Sequence, residues 1–282
     1  MDLRAFYEVT KPKQTTLLMI TCVISFLVSS NFSVDLLFFK TFFAVFLAVS
    51  GTTALNMWLD RDIDILMPRT MFRPLPAGRL SPRACAIYGS ILVGLGIFLG
   101  YLINILVAFI IFLGLFFDVV IYTVMLKRKN PYSIVLGGLA GAMPSLAGWT
   151  AAKGYVDLAG ITISAIILLW IPAHIWYLSM HFEDDYRKAG IPMLPLIIGM
   201  ERASWVIVSS VGLMLFLVAL LFFLLPFGPA YLITSVMVTS YFLYKAVRFA
   251  KSPSRIGARR MYKLASITLG VVYISMVFGI FW

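Results

Sequence analysis

Residues 36–64 read LLFFKTFFAVFLAVSGTTALNMWLDRDID. From 36 to 55 only Lys40 interrupts a run of apolar and small residues. About 20 such residues are what a helix needs to cross the hydrocarbon core of a bilayer. A backbone in lipid must also close its own hydrogen bonds, so the run is predicted to be a helix. Its character then changes: Asn56, Asp60 and Asp64 follow at i, i+4 and i+8. At about 3.6 residues per turn these three line one face. The stretch therefore predicts a membrane helix whose end carries a row of oxygen-bearing side chains.

Outward from it, the apolar pattern recurs. Nine candidate spans lie at about 14–31, 36–57, 84–101, 104–126, 132–151, 157–179, 203–225, 229–249 and 262–282. The third and fourth are joined by very little, and Pro226 and Pro229 part the seventh from the eighth. Hydrophobic residues make up 61% of the 282 and charged residues 12%, with a mean hydropathy of +0.97. Soluble domains sit near one half and one quarter, so a cytosolic globule is excluded. Disorder, which needs low hydrophobicity and high charge, is excluded too. A β-barrel would show alternating segments of about ten residues, and none is present. No tandem repeat or linker divides the chain, so 1–282 is read as a single all-α, polytopic membrane domain.

A net charge of +11 could suggest nucleic acid, but the distribution argues otherwise. With the N-terminus taken as cytoplasmic, 21 of the 23 Lys and Arg residues fall on the cytoplasmic side of a nine-span topology. Only Lys40 and Lys153 fall near the other side. Such a bias is the signature of membrane orientation. The expected partner is the lipid bilayer and not nucleic acid. The N-terminus and the loops after spans two, four, six and eight are expected to be cytoplasmic, in the cell membrane of a prokaryote. Cys22 and Cys85 form no disulfide framework and no metal-ligand spacing, and read as small buried hydrophobes. The segment 1–13 carries Asp2 and Glu8 and is unlike a transit peptide, so the first span reads as a retained helix.

The chemistry-bearing residues gather on that basic side. Asn56, Asp60 and Asp64 offer oxygen ligands to a hard cation, and Mg²⁺ prefers one or two carboxylates together with substrate phosphates. The competing reading is a solvated helix end whose acids pair with arginines. Asp62 points off that face and reads as a structural salt bridge. The loop continues RTMFRPLPAGRLSP over 69–82. Its arginines could grip diphosphate oxygens; Arg73 is the best placed, and Arg83 reads as a topology charge. A second cluster, HIWYLSMHFEDDYRKAGIP, occupies 174–192. If the sixth helix runs on to about Lys188, His174, Leu178, His181 and Asp185 form one stripe at i, i+4, i+7 and i+11. Asp118, inside the fourth span, shares a face with Tyr122. It reads either as a buried acid bonded to a neighbouring helix or as a group that orients a water or ligand.

Three ordered blocks carry a resemblance. They are NMWLDRDIDILMPRTMFRPLPAGRLSP (56–82), YTVMLKRKNPYSIVLGGLAGAMPSLAGWTAAKG (122–154) and PAHIWYLSMHFEDDYRKAGIPMLP (172–195), with TKPKQT (10–15) before them. They resemble the UbiA-type intramembrane prenyltransferases, and within these the protoheme IX farnesyltransferases, over residues 7 to 200. The resemblance implies nine helices around a central cavity under a cap of cytoplasmic loops. It implies transfer of a farnesyl group from farnesyl diphosphate to a vinyl group of heme b, with water, giving heme O and diphosphate, and Mg²⁺ as cofactor. By resemblance Asn56, Asp60 and Asp64 match the first metal and diphosphate motif, Lys127 and Arg128 the basic pair, and Asp184 and Asp185 the second acidic motif. Superfamily relatives often carry Asp after the Asn, where this chain has Met57. Their second motif often reads D-x-x-x-D, where this chain has His181 four residues before Asp185. Which of His181, Glu183, Asp184 and Asp185 meets metal is therefore left open.

The implied reaction ionises an allylic diphosphate. Metal, lysine and arginine stabilise the leaving group. Aromatic faces stabilise the allylic cation, with Tyr122, Trp149, Trp176 and Tyr186 as candidates. His174 reads either as an axial ligand of the heme iron, about 16 Å along a continuous helix from Asp185, or as a histidine hydrogen-bonded within the bundle. Alternatives are a related prenyltransferase acting on a quinone precursor or a glycerol-phosphate lipid, a transporter, or a heme-binding subunit. A transporter would place charges at the midplane of broken, symmetric helices, whereas here the acids sit at one face.

Overall fold

The computed structural model describes residues 2–281. Met1 and Trp282, the ends of the expected domain, lie outside the described residues. In chain order the elements are α1 (Leu3–Val9), α2 (Pro12–Ser29), α3 (Leu36–Leu59), α4 (Arg61–Asp64), α5 (Pro82–Tyr101), α6 (Ile105–Leu115) and a π-helical segment (Phe116–Leu126). There follow α7 (Ser133–Lys153), α8 (Leu158–His181), α9 (Glu183–Lys188), α10 (Leu194–Ile198), α11 (Met200–Leu224), α12 (Pro229–Lys251) and α13 (Arg255–Gly279). Among the described residues nine helices, with α6 and the π segment counted as one, are long and apolar enough to cross a membrane. The chain is a multi-pass membrane protein.

Local chemistry sets the ends of these helices. Asp35, Ser81, Asn104, Asp157 and Ser254 each accept a backbone N–H in the first turn of the helix they precede, the usual work of short oxygen side chains at an N-cap. Proline opens α2, α5 and α12, where its missing N–H costs nothing. The ninth span was expected from 262, but the Ser254 cap starts α13 at Arg255, so the basic run 255–263 is helical. Side chains such as Phe43, Phe109, Phe216 and Phe223 are exposed on the outside of the bundle. That surface is stable against lipid and not against water.

The spans contact one another in sequence order, α2 to α3, then α5, α6, α7, α8, α11, α12 and α13, and α13 returns to α2. The result is a closed ring. Small residues allow its tightest contacts: a Cβ at Gly51 would come within 2.5 Å of the Gly89 carbonyl oxygen, which locks α3 against α5.

Two departures from the sequence reading shape the site. The fourth span changes at Phe116 from α to π winding, seen in the Lys127 N–H bond to the Tyr122 carbonyl at 2.7 Å, five residues back. Such winding recurs at functional sites. The sixth span does not run on to Lys188. It ends at His181, Phe182 leaves the helical region (φ −101°, ψ 37°), and α9 starts anew. The expected stripe from His174 to Asp185 is therefore broken. A sequence signal for the break exists: Glu183, Asp184 and Asp185 fill the first turn of α9 and Arg187 and Lys188 its last. That is the charge order a helix dipole favours.

Candidate active site

The ring encloses a cavity of about 550 Å³, within the usual size of a ligand site. Val45, Ile111, Met143, Ala147 and Ile167 make its deep part apolar, while Asn56, Asp60, Asp64, Arg69, Arg73 and Lys127 line the end next to the basic loops. One end suits a charged head and the other a hydrocarbon tail.

The row Asn56, Asp60 and Asp64 survives the joint between α3 and α4. Asp60 N–H still bonds the Asn56 carbonyl at 2.9 Å and Asp64 N–H the Asp60 carbonyl at 2.8 Å, so helical phase is kept. The three residues are 7%, 3% and 5% exposed. The two carboxylates, buried this deeply, cost several kcal/mol each unless matched, and all three residues meet a cationic side chain. Lys11 Nζ donates to Asn56 Oδ1 at 2.7 Å, and Lys127 Nζ to Asp60 Oδ2 at 2.5 Å. Arg73 Nη1 donates to both Asp64 oxygens at 2.8 Å. Asn56 Nδ2 in turn donates to Thr123 Oγ1 of the π segment at 2.8 Å. Asp60 Oδ1 is buried without a hydrogen-bond partner. Burial, helped by the charge of Arg73, pushes the Lys11 ammonium down to about 8, against the pull of Asp60 and Asp118.

Lys127 and Arg128 diverge. Arg128 lies outside the cavity, where its guanidinium grips both oxygens of Asp62 at 2.7 Å. The hydrogen-bonded Arg128 holds the Asp62 carboxyl below its ordinary value. The expected structural salt bridge of Asp62 is thus present, and its partner is a residue expected at the diphosphate. The two side chains leave the turn after the π segment in different directions, and of the pair Lys127 alone lines the cavity.

The second acidic cluster sits differently. Glu183 bonds Arg187 and Arg255, Asp184 bonds Arg255 at 2.9 Å, and His181 Nδ1 lies 3.2 Å from the Arg255 carbonyl. None of these three acidic-cluster residues lines the cavity. Asp185 alone approaches the site, with Oδ2 at 3.9 Å from Arg69 Nε. Arg69, one of the loop arginines that could grip diphosphate, lines the cavity. It donates to Tyr186 Oη at 3.1 Å and lies over the Phe182 and Tyr186 rings. Lys11, Lys13 and Arg69 are cavity-lining cations that the residue patterns did not single out. The one hint for Lys11 was its place in TKPKQT.

His174 lines the cavity between the rings of Trp170 (4.3 Å) and Tyr262 (4.6 Å), with Ser266 Oγ at 3.3 Å from its Nδ1. Asp118 lines it too; among the described residues its carboxylate has no ion-pair or hydrogen-bond partner, so the expected bond to a neighbouring helix is absent. Of the four aromatic candidates, Tyr122 and Tyr186 face the cavity, while Trp149 and Trp176 are packed away from it in the core. Among the described residues no three His, Cys, Asp or Glu side chains converge as a ready-made metal cage. The oxygens of the acid row nevertheless suit a hard cation, and the unpartnered Asp60 Oδ1 leaves one lone-pair site open.

The chain is similar to a protein of Archaeoglobus fulgidus named protoheme IX farnesyltransferase, with 57% identity over 279 residues and 99% of each chain covered. In three dimensions it is similar to a solved structure of digeranylgeranylglyceryl phosphate synthase, at a TM-score of 0.85 and 25% identity, covering 99% and 98% of the two chains. A UbiA homologue of Archaeoglobus fulgidus, solved with DMAPP and Mg²⁺, shares the fold at a TM-score of 0.65 and 14% identity, covering 96% and 99%. The sequence pattern of the UbiA prenyltransferase family runs through residues 18–267. Most of the chain is thereby accounted for: it belongs to the UbiA prenyltransferase family.

Proposed function

We propose that the chain transfers a farnesyl group from farnesyl diphosphate to a vinyl group of heme b, with addition of water, yielding heme O and diphosphate. The observation that carries the reading is the amphiphilic cavity. Its head is a ring of lysine, arginine and carboxylate and its body is apolar. Both substrates are greasy molecules with charged ends. The similarity to the protein named protoheme IX farnesyltransferase supports heme b as acceptor. The charged end faces the cytoplasm of a cell membrane in this reading, because the basic loops lie there.

In the transfer, negative charge grows on the departing diphosphate. Arg73 and Lys127 already point into the head of the cavity, and preorganised cations stabilise such charge without reorganising. Asp60 and Asp64 would hold Mg²⁺, as a homologue's complex with DMAPP and Mg²⁺ suggests. Bound there, the ion would supply Lewis-acid neutralisation of the leaving group. Asn56 holds its place in the row through Lys11 and Thr123. Arg128, His181, Glu183 and Asp184 keep to the surface network, and Asp185 acts through Arg69. Tyr122 and Tyr186 offer ring faces to the allylic cation. The apolar wall limits water, so the cation meets the vinyl group before a stray water captures it.

His174 is the proposed heme ligand. Ser266 engages Nδ1, which leaves Nε2 for the iron. The test is incubation of the purified protein with Mg²⁺, farnesyl diphosphate and heme b, followed by mass analysis of the porphyrin. Gain of one farnesyl group and one hydroxyl is expected; diphosphate release with an unmodified porphyrin would point to another acceptor. His174→Ala should weaken heme b binding and alter its Soret band while diphosphate still binds. An unchanged band removes His174 from the heme site.

A further inference from the structure

Of the cations beside the acid row, Arg73 and Lys127 are matched by carboxylates. Lys11 is not. Among the described residues no carboxylate lies within ion-pair reach of its ammonium, and its one partner is the neutral amide of Asn56. Lys13 also borders the cavity but sits at the exposed rim, where water solvates it. Lys11 is thus a partly buried positive charge that faces the cavity with no anion of its own.

Its position is built and not incidental. Lys11 has left-handed backbone angles (φ 46°, ψ 65°), a conformation that side-chain-bearing residues adopt only when their surroundings enforce it. Pro12 follows and disfavours only the right-handed helix for the residue before it, so the joint is held by tertiary bonds. The preceding carbonyl, that of Thr10, accepts hydroxyls from Thr15 at 2.6 Å and from Thr53 at 2.9 Å. Thr53 lies on α3 one turn before Asn56, so the helix that carries the acid row also anchors the joint that delivers Lys11. Asn56 then fixes the ammonium, and Thr123 fixes Asn56.

We propose that Lys11 is a diphosphate-binding residue, its ammonium taking a non-bridging oxygen of the prenyl diphosphate, with Asn56 as the residue that positions it. The inference rests on the reading of the cavity as a prenyl diphosphate site and adds a ligand to it from the first helix joint. Arg73 and Lys127 must share or leave a carboxylate when they turn to a substrate oxygen. Lys11 has no ion pair to break, so its whole attraction is available to the incoming anion. A charge-assisted bond in a water-poor site is about twice as strong as a neutral one.

The test uses the full-length protein in nanodiscs, with inorganic diphosphate and Mg²⁺ as the probe. An amine-reactive ester labels lysines, and peptide masses report each site. Diphosphate is expected to protect Lys11 about tenfold, the scale of one charge-assisted bond, while Lys153, far from the cavity, labels unchanged. Lys11→Gln keeps a donor for Asn56 but loses the charge. It should raise KM for farnesyl diphosphate about tenfold and leave KM for heme b unchanged, and Lys11→Arg should restore most of the loss. A merely structural lysine would shift both KM values together. If Lys11→Gln fails to fold, the labelling of the unaltered protein decides. Diphosphate that binds the protein but leaves Lys11 labelling unchanged overturns the proposal and leaves the cavity reading standing. Protection of Lys11 without farnesylation of heme b upholds the proposal and overturns the acceptor.

Discussion

Two acidic stretches lie near the same end of the bundle, and in the sequence they look alike. Asp60 and Asp64 are buried in the cavity wall, held by Lys127 from the end of the fourth span and by Arg73 from the following loop. Glu183 and Asp184 lie outside the cavity, at 14% and 66% side-chain exposure, and both pair with the half-exposed Arg255. The difference is dielectric. A buried carboxylate that loses its counter-charge must find another or give up its own charge. A surface one such as Asp184 falls back on water, and such pairs contribute about 0–1 kcal/mol. Chemistry that handles a diphosphate needs the first environment, so the two acidic stretches are expected to respond very differently to substitution.

The largest expected effect is at the acid row. Asp60→Asn and Asp64→Asn each remove an anionic oxygen pair and strand Lys127 or Arg73. Heme farnesylation by the purified, folded variant should fall by on the order of a hundredfold or more. Near-normal turnover in either would erase the contrast between the two stretches. Next comes Arg73→Lys, which keeps the charge but loses the planar fork. Its kcat/KM for farnesyl diphosphate should drop about tenfold, and an unchanged value would reassign Arg73 to holding the loop.

Asp185 lies between the two classes, since it belongs to the surface cluster by sequence but reaches Arg69 by geometry. Asp185→Asn should cost about fivefold in turnover, the effect of loosening a cation and not of removing a ligand. A hundredfold loss would make Asp185 a direct ligand and extend the site across α9. Smallest is Asp184→Asn, expected to change activity by less than about twofold and the melting temperature by about a degree or less. A tenfold loss there would show that the cap rearranges when substrate binds and carries Asp184 inward.

The membrane class, the number of spans and the end of the bundle where the charged residues gather were legible from residues 36–64 and the distribution of Lys and Arg, because lipid imposes local rules. An apolar run of sufficient length must be helical and cross the membrane, and positive charge prefers one side. The row Asn56, Asp60 and Asp64 was legible for the same reason, since helical spacing is local. His174 could be picked out as a polar residue at membrane depth, and the structure places it on the cavity wall.

Tertiary structure decided which charges meet. Arg73 and Arg69 sit four residues apart in one loop, yet one takes Asp64 and the other Tyr186 and Asp185. Lys127 and Arg128 are neighbours that take different acids, Asp60 in the cavity wall and Asp62 outside it. The helix break at Phe182 turned a predicted stripe into two faces, and the π winding from Phe116 placed Thr123 against Asn56. Lys11 reached the acid row from 45 residues away in sequence. Long side chains from distant segments converge only after the helices have packed. Which ion pairs form then depends on which directions are buried, and no local spacing encodes that.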